Sequence, residues 1–252
     1  INLSGMGLSD SPDSPHRFVF PIGSVIAAGS YAVFECDPDR PASATNTGFG
    51  LKASGDALYL HDARVHGGAL LDGIVFGLQA PNLALGRNPL AHTVWTPAEP
   101  TPGTANQPLA TGDPAQLRIN EWMADPTEGD DWFELFNPTG QPVALEGIAL
   151  SDNPANLGLH RIPNYSFIGG GYFAHQKVIA DGRAERGADH VSFKLRGSGE
   201  SITLIDSNDR LIDEVTFTRQ SEGVSEGRFP DGASAITRFP GIHTPGTSNR
   251  LD

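Results

Sequence analysis

The sequence predicts an all-β protein made of two tandem β-sandwich units, and three observations carry that expectation. Short alternating apolar runs recur along the chain, Gly and Pro clusters separate nearly all of them, and blocks of the first half return in order in the second. No window of about 12 residues keeps a 3.6-residue apolar stripe without a breaker, so helix is expected to be minor.

The elements follow in order. Leu3–Asp10 opens the first unit and matches Leu145–Asp152. Arg17–Phe20 and Tyr31–Phe34 alternate as strands do. Ser54–Asp62, with its alternating core Ala57–Leu60, matches Ser198–Asp206 and the run Ser201–Ile205. In both copies Ser-Gly precedes the strand, which reads as a turn needing positive φ. Leu71–Phe76, with Gly73–Phe76 alternating, matches Ile212–Phe217, where Glu214–Phe217 alternates. Gly86-Arg87 returns as Gly227-Arg228, and the arginines are expected to pair with an acid or brace a strand end. Both copies close on Thr-Pro-Gly-Thr-x-Asn, at Thr101–Asn106 and Thr244–Asn249. The offset stays between 141 and 144 residues throughout. One such match could be chance, whereas five in one order indicate duplication.

The copies are unequal. Before its Leu-x-Gly block the second unit carries Leu117–Ala124 and Asp131–Asn137, two further alternating runs, and the first unit has nothing there. Later in the second unit Tyr172–Ile179 alternates again. A sandwich short of two strands leaves apolar faces and open edges. The missing strands are expected to precede Ile1 in a longer product, or else to come from another chain. The Pro-rich run from Pro97 to Pro114 reads as a linker. The organisation expected is a first unit over 1–107, a linker over 108–116, and a second, complete unit over 117–252.

Composition bounds the function. Gly (30) and Pro (20) make about a fifth of the 252 residues, without the short period of collagen, and 38% apolar residues suffice for a core. The net charge is −13. Up to Gln107 there are 9 acids and 5 bases (−4), and after it 21 and 12 (−9). Nonspecific nucleic-acid binding rests on Lys and Arg neutralising phosphates, so nucleic acid is not an expected partner. No run approaches the ~20 apolar residues of a membrane helix, so membrane insertion is not expected either. Cys36 is the single cysteine; no intrachain disulfide can form, and the flanking Glu35 and Asp37 disfavour a reactive thiolate.

The residues Ile119-Asn120-Glu121-Trp122-Met123-Ala124, Asp131-Trp132-Phe133-Glu134-Leu135-Phe136-Asn137 and Leu145–Asp152 resemble the lamin tail domain as found in bacterial proteins. Ile202–Asp206, Asp213–Phe217 and the closing Thr-Pro-Gly-Thr-x-Asn continue the likeness. It covers Leu117 to about Asn249 in full, and Ile1–Asn106 without the first two strands. The resemblance implies two tandem immunoglobulin-like β-sandwiches and a non-catalytic role in a secreted or cell-surface protein, in adhesion, docking or assembly. Expected partners are a protein or surface polymer, with other copies of this chain included. Alternatives are a filament subunit joined by strand donation, and accessory domains of a larger hydrolase or kinase-like enzyme.

Site chemistry is sparse. The densest acidic cluster is Glu121, Asp125, Glu128, Asp130, Asp131 and Glu134. Calcium takes six to eight oxygens from carboxylate-rich loops, and Asp125, Glu128, Asp130 and Asp131 could offer four; the plainer reading is a solvated hairpin loop. The histidines follow no usual zinc spacing: His61 and His66 lie too close in a short segment, and His160, His175 and His190 are fifteen apart. No Gly-x-Ser-x-Gly elbow appears, Gly169-Gly170-Gly171 lacks a phosphate-loop lysine, and no catalytic residue or further cofactor is expected. Trp122 and Trp132 are expected in the core, and Trp95 as an exposed contact or as a cover for the bottom of the first unit.

Overall fold

Alternation with Gly/Pro punctuation builds strands here and little else. The computed structural model describes residues 1–251. Among these, helix is confined to short 3-10 turns at Arg64–His66, Pro114–Gln116, Gly171–Phe173 and Ala184–Arg186.

In the first half, β1 (Gly7–Ser9), β2 (Phe18–Val19), β3 (Asp56–His61) and β4 (Leu70–Phe76) make an antiparallel sheet in the order β2-β1-β3-β4. β5 (Ala84–Asn88), β6 (Ala91–Glu99) and β7 (Gln107–Pro108) make a second sheet, β5-β6-β7. The core is small: Leu3, Met6, Phe18, Phe20 and Phe49, with Phe34 and Cys36 packed against it. Phe20 meets Phe18 and Phe34 edge-on at 5.2 and 5.0 Å.

The second half starts with β8 (Arg118–Met123), β9 (Trp132–Phe136), β10 (Val143–Ala144), β11 (Ala149–Ser151), β12 (His160–Arg161) and β13 (Phe167–Ile168). It ends with β14 (His175–Ile179), β15 (Gly199–Ile205), β16 (Leu211–Thr218), β17 (Val224–Arg228) and β18 (Ile236–Pro240). Its sheets are β12-β11-β15-β16 and β14-β9-β8-β17-β18, with a short β10-β13 pair. Between the two large sheets Trp122 and Phe217 approach to 6.0 Å, within a core that includes Leu117, Ile119, Phe133, Leu150, Ile202 and Leu204. Burying each such side chain contributes about 1.5–3 kcal/mol, so most of the hydrophobic stabilisation lies in this half.

The halves share registers. Leu8 faces Leu60 as Leu150 faces Leu204, and Leu58 faces Ile74 as Ile202 faces Val215. In the β3–β4 and β15–β16 ladders the β-bulge falls at one place, Leu60/His61 and Leu204/Ile205. The paired Ser-Gly turns hold Gly55 and Gly199 at φ 107° and 106°, a backbone state open chiefly to glycine. Even the isolated parallel bridges Glu35–Asn46 and Ile179–His190 repeat.

Where the halves differ, β8 and β9 explain it. In the first half nothing occupies their place, so β5 is a sheet edge where β17 is bonded to β8. Tyr31–Phe34, expected as a strand, makes no ladder; in the second half β14 pairs with β9. The Pro-rich run is not all linker. Pro97–Glu99 finishes β6, and Gln107–Pro108 adds β7. The carbonyl of Pro97 accepts from Leu109 N, so pairing on that side survives the ring's missing donor.

The halves are docked together. Gly77 N donates to Asn164 O (3.0 Å), Leu78 N to Ser166 Oγ (3.0 Å), Phe167 N to Leu78 O (2.8 Å) and Ala188 N to Ser54 O (2.6 Å). Leu78 is buried in the second half's core. A Cβ at Gly77 would lie 2.0 Å from Ser166 Oγ, so only glycine fits.

Candidate functional site

Two glutamates stand inside apolar strands, where an unpaired charge would cost several kcal/mol. Glu121 on β8 and Glu134 on β9 face each other across the ladder, and both are fully buried. The closing segment Thr244–Asn249 covers them. Glu121 Oε1 accepts from Ser225 Oγ (2.6 Å), and Oε2 accepts from Thr244 N (3.1 Å) and lies 3.1 Å from Thr244 Oγ1. Glu134 Oε1 accepts from Asn120 Nδ2 (2.9 Å), and Oε2 from Gly246 N (2.6 Å). Asn249 Nδ2 then donates to Arg228 O (2.8 Å), and Asn120 Oδ1 accepts from Gly232 N (2.9 Å). The Thr-Pro-Gly-Thr-x-Asn motif is thus pinned across β8 and β9 by carboxylates.

His175, the first residue of β14, completes the cluster. Its Nδ1 lies 2.9 Å from Glu134 Oε1, and its Nε2 lies 3.5 Å from both Asp231 Oδ2 and Ser248 Oγ. A cavity of about 310 Å³ opens beside it, lined by Pro81, Tyr172, Phe173, Thr247 and Ser248 among others. Ser248, His175 and Glu134 therefore stand in the sequence of a hydrolytic triad. The electrostatics work against that use. Burial alone would lower the His175 pKa, but the Glu134 bond and the charges of Glu134, Asp231 and Glu121 raise it above the usual histidine value. Nδ1 faces Glu134, and Nε2 is shared at 3.5 Å between Asp231 and Ser248, so the ring is not aimed at the serine alone. Burial pushes Glu121 up in turn, against its bonds from Ser225 and Thr244. The cluster is a polar clasp.

The loop residues singled out for calcium sit apart from this clasp. Asp125, Glu128 and Asp130 are exposed on the β8–β9 connection, and Asp131 is half-buried at its end. Asp131 Oδ2 accepts from Leu195 N (3.1 Å), and burial raises its pKa to about 6. Among the described residues no group of three or more His, Cys, Asp or Glu side chains gathers in a way that could hold a metal ion. His190 Nδ1 instead lies 3.0 Å from Asp181 Oδ2, which Arg186 also holds.

Sequence proximity grouped Glu121 and Glu134 with the loop acids, but the strands separate them. The readable signal was a charge at the centre of each apolar run, Ile119–Ala124 and Trp132–Phe136. Trp122 and Trp132 are core residues, 1% and 4% exposed, as their strands suggested. Trp95, expected as an exposed contact, is half-buried with the Arg87 guanidinium 4.5 Å over its ring. The repeated arginines pair with repeated acids, Arg87 with Asp72 and Arg228 with Asp213.

No curated protein and no solved structure matches the chain. The family model described as Lamin Tail Domain matches residues 110–219, which hold β8 to β16 and stop short of β17, β18 and the closing motif. The all-β second half agrees with this match: residues 110–219 are similar to the lamin tail domain.

Proposed function

We propose that this chain is a non-catalytic binding and structural part of a secreted or cell-surface bacterial protein, acting in adhesion, docking or assembly. The observation that carries the reading is the clasp: the most catalysis-like side chains of the molecule, Glu121, Glu134 and His175, spend their hydrogen bonds on one another and on the closing segment. Lamin tail domains are protein-interaction modules, and the partner here is a protein or surface polymer. The charge of −13 argues against nucleic acid. No helix among the described residues is long and apolar enough to cross a membrane.

Two experiments test this. Chromogenic ester and phosphate substrates are expected to show no turnover; hydrolysis that disappears in Ser248→Ala would overturn the non-catalytic reading. Antibody against the folded chain is expected to label intact cells of the source bacterium. Labelling seen only after permeabilisation would overturn the surface location.

A further inference from the structure

The cavity beside the clasp is lined by groups that the clasp does not use. It holds about 310 Å³ and lies where the β13–β14 connection, the closing segment and Pro81 of the first half meet. That is the small end of ligand pockets, which run from roughly 300 to 1,000 Å³. Tyr172 stands at it 89% exposed, and its ring meets that of the half-buried Phe173 edge-on at 5.1 Å. A ring that exposed adds nothing to the core. Two exposed residues of the closing segment, Thr247 and Ser248, bring hydroxyls to the same cavity. Thr247 Oγ1 donates to Thr244 O (3.2 Å) and keeps its lone pairs. Among the described residues the Ser248 hydroxyl makes one long contact, 3.5 Å from His175 Nε2, which leaves its donor and acceptor capacity for a ligand. A Cβ at Gly171 or Gly246 would meet nothing within 4 Å, so the backbone itself borders open space there.

The fold does not require these side chains. The matched parallel bridges Glu35–Asn46 and Ile179–His190 set Ala28 and Gly29 at the places of Tyr172 and Phe173. The repeated closing motif sets Ala105 at the place of Ser248. The charge around the cavity then selects its ligand. Among the described residues no Asp, Glu, Lys or Arg side chain lines it. His175 does, with Glu134 Oε1 2.9 Å from one ring nitrogen and Asp231 Oδ2 3.5 Å from the other. An ammonium group would shed its water here beside the imidazole, with no lining acid to replace it. An anion would meet the two carboxylates behind that ring and the −13 charge of the chain. A neutral ligand that carries both C–H faces and hydroxyls avoids both costs.

We infer that this cavity binds a sugar ring of an uncharged polysaccharide. The C–H face of the ring packs on Tyr172 and Phe173, and its hydroxyls exchange hydrogen bonds with Ser248 and donate to Thr247. His175 and the clasp hold the closing segment in place, and no bond of the sugar is broken. The inference rests on the proposed binding role and deepens it: of a protein and a surface polymer, it chooses the polymer and names its chemistry.

The test is native electrophoresis of the full chain through gels that contain, one at a time, soluble β-glucan, mannan, galactan, xylan or dextran. Retardation by at least one of these is expected. Tyr172→Ala should weaken it by roughly five- to tenfold, and Ser248→Ala by about threefold. Both variants should keep the parent melting temperature, because both side chains lie exposed. Polylysine, polyglutamate and a polyproline peptide serve as charged and peptidic probes, and none is expected to bind in a manner that depends on Tyr172. Retardation by no polysaccharide, or equal retardation of Tyr172→Ala and the parent, would overturn the inference. So would Tyr172-dependent binding of polylysine, polyglutamate or polyproline in place of a polysaccharide, since the ligand would then be charged or peptidic. Neither turnover of a chromogenic substrate nor the cell location changes these readouts, so this inference and the proposed function fail separately.

Discussion

Arg228 and Arg87 make the same ion pair in two solvents. The side chains of Arg228 and Asp213 are 10% and 13% exposed, and those of Arg87 and Asp72 are 34% and 51%. Removing one partner of a buried pair strands a charge at a cost of about 3–5 kcal/mol, while an exposed pair is worth about 0–1. Arg228→Met is therefore expected to cost several times more in denaturant unfolding than Arg87→Met; equal losses would contradict the account. Protons report on the buried cluster as well. Burial raises Asp131 to about 6 and raises Glu121, and the surrounding acids outweigh burial to raise His175. In each case the folded state holds its proton more tightly than the unfolded chain, so stability falls as pH rises through these values. Asp181 works the other way: burial is outweighed by Arg186, Arg183 and His190, and its contribution is lost as pH falls below the usual carboxylate range. Asp131 is expected to contribute a fall in melting temperature between pH 3.8 and about 6, and His175 a further fall above 6.5 as it loses its proton. Asp131→Asn should flatten the first of these declines, and an unchanged profile would remove Asp131 as its source.

At the scale of the element, β8 and β9 decide how each half is built. They bring Trp122 and Phe133 to the core and Glu121 and Glu134 to the clasp. His175→Ala takes the cation from between Glu134 and Asp231, and should destabilise the protein by about 3 kcal/mol, read from thermal or chemical unfolding. A neutral outcome would show that the clasp carries no stability. These strands were legible because a period of two, bounded by Gly and Pro, survives in sequence. The block order was legible too, and the structure repeats it down to the position of a β-bulge. The clasp was not. Glu134, His175, Asp231 and Thr244 are spread over 110 residues, and only the strand order β14-β9-β8-β17 brings them together. Tyr31–Phe34 misled for a related reason: its alternation is a strand pattern, but pairing needs a neighbour that the first half does not contain. Pro97 misled because proline marks linkers on average, while β6 accommodates it inside a sheet.

Across the whole molecule, the large core of the second half supports the first half. The support runs through Gly77–Gln79, whose backbone bonds to Asn164–Phe167, and through Leu78, which fills the neighbouring core. Leu78→Ala is expected to cost about 2–4 kcal/mol and to loosen the first half more than the second, as proteolysis of the loops at either end would reveal. Equal protection of both halves in that variant would contradict a docking role. The central claim is that the first half repeats the pairing of β11, β15 and β16, while among the described strands β5 is bonded to β6 alone. Hydrogen exchange on the full chain, comparing the amides of Ala84–Asn88 with those of Val224–Arg228, tests it most directly. The account predicts that β17, bonded on both sides by β8 and β18, exchanges at least about a hundredfold more slowly than β5, which is bonded on one side only. Equal protection of the two strands would contradict that difference in pairing.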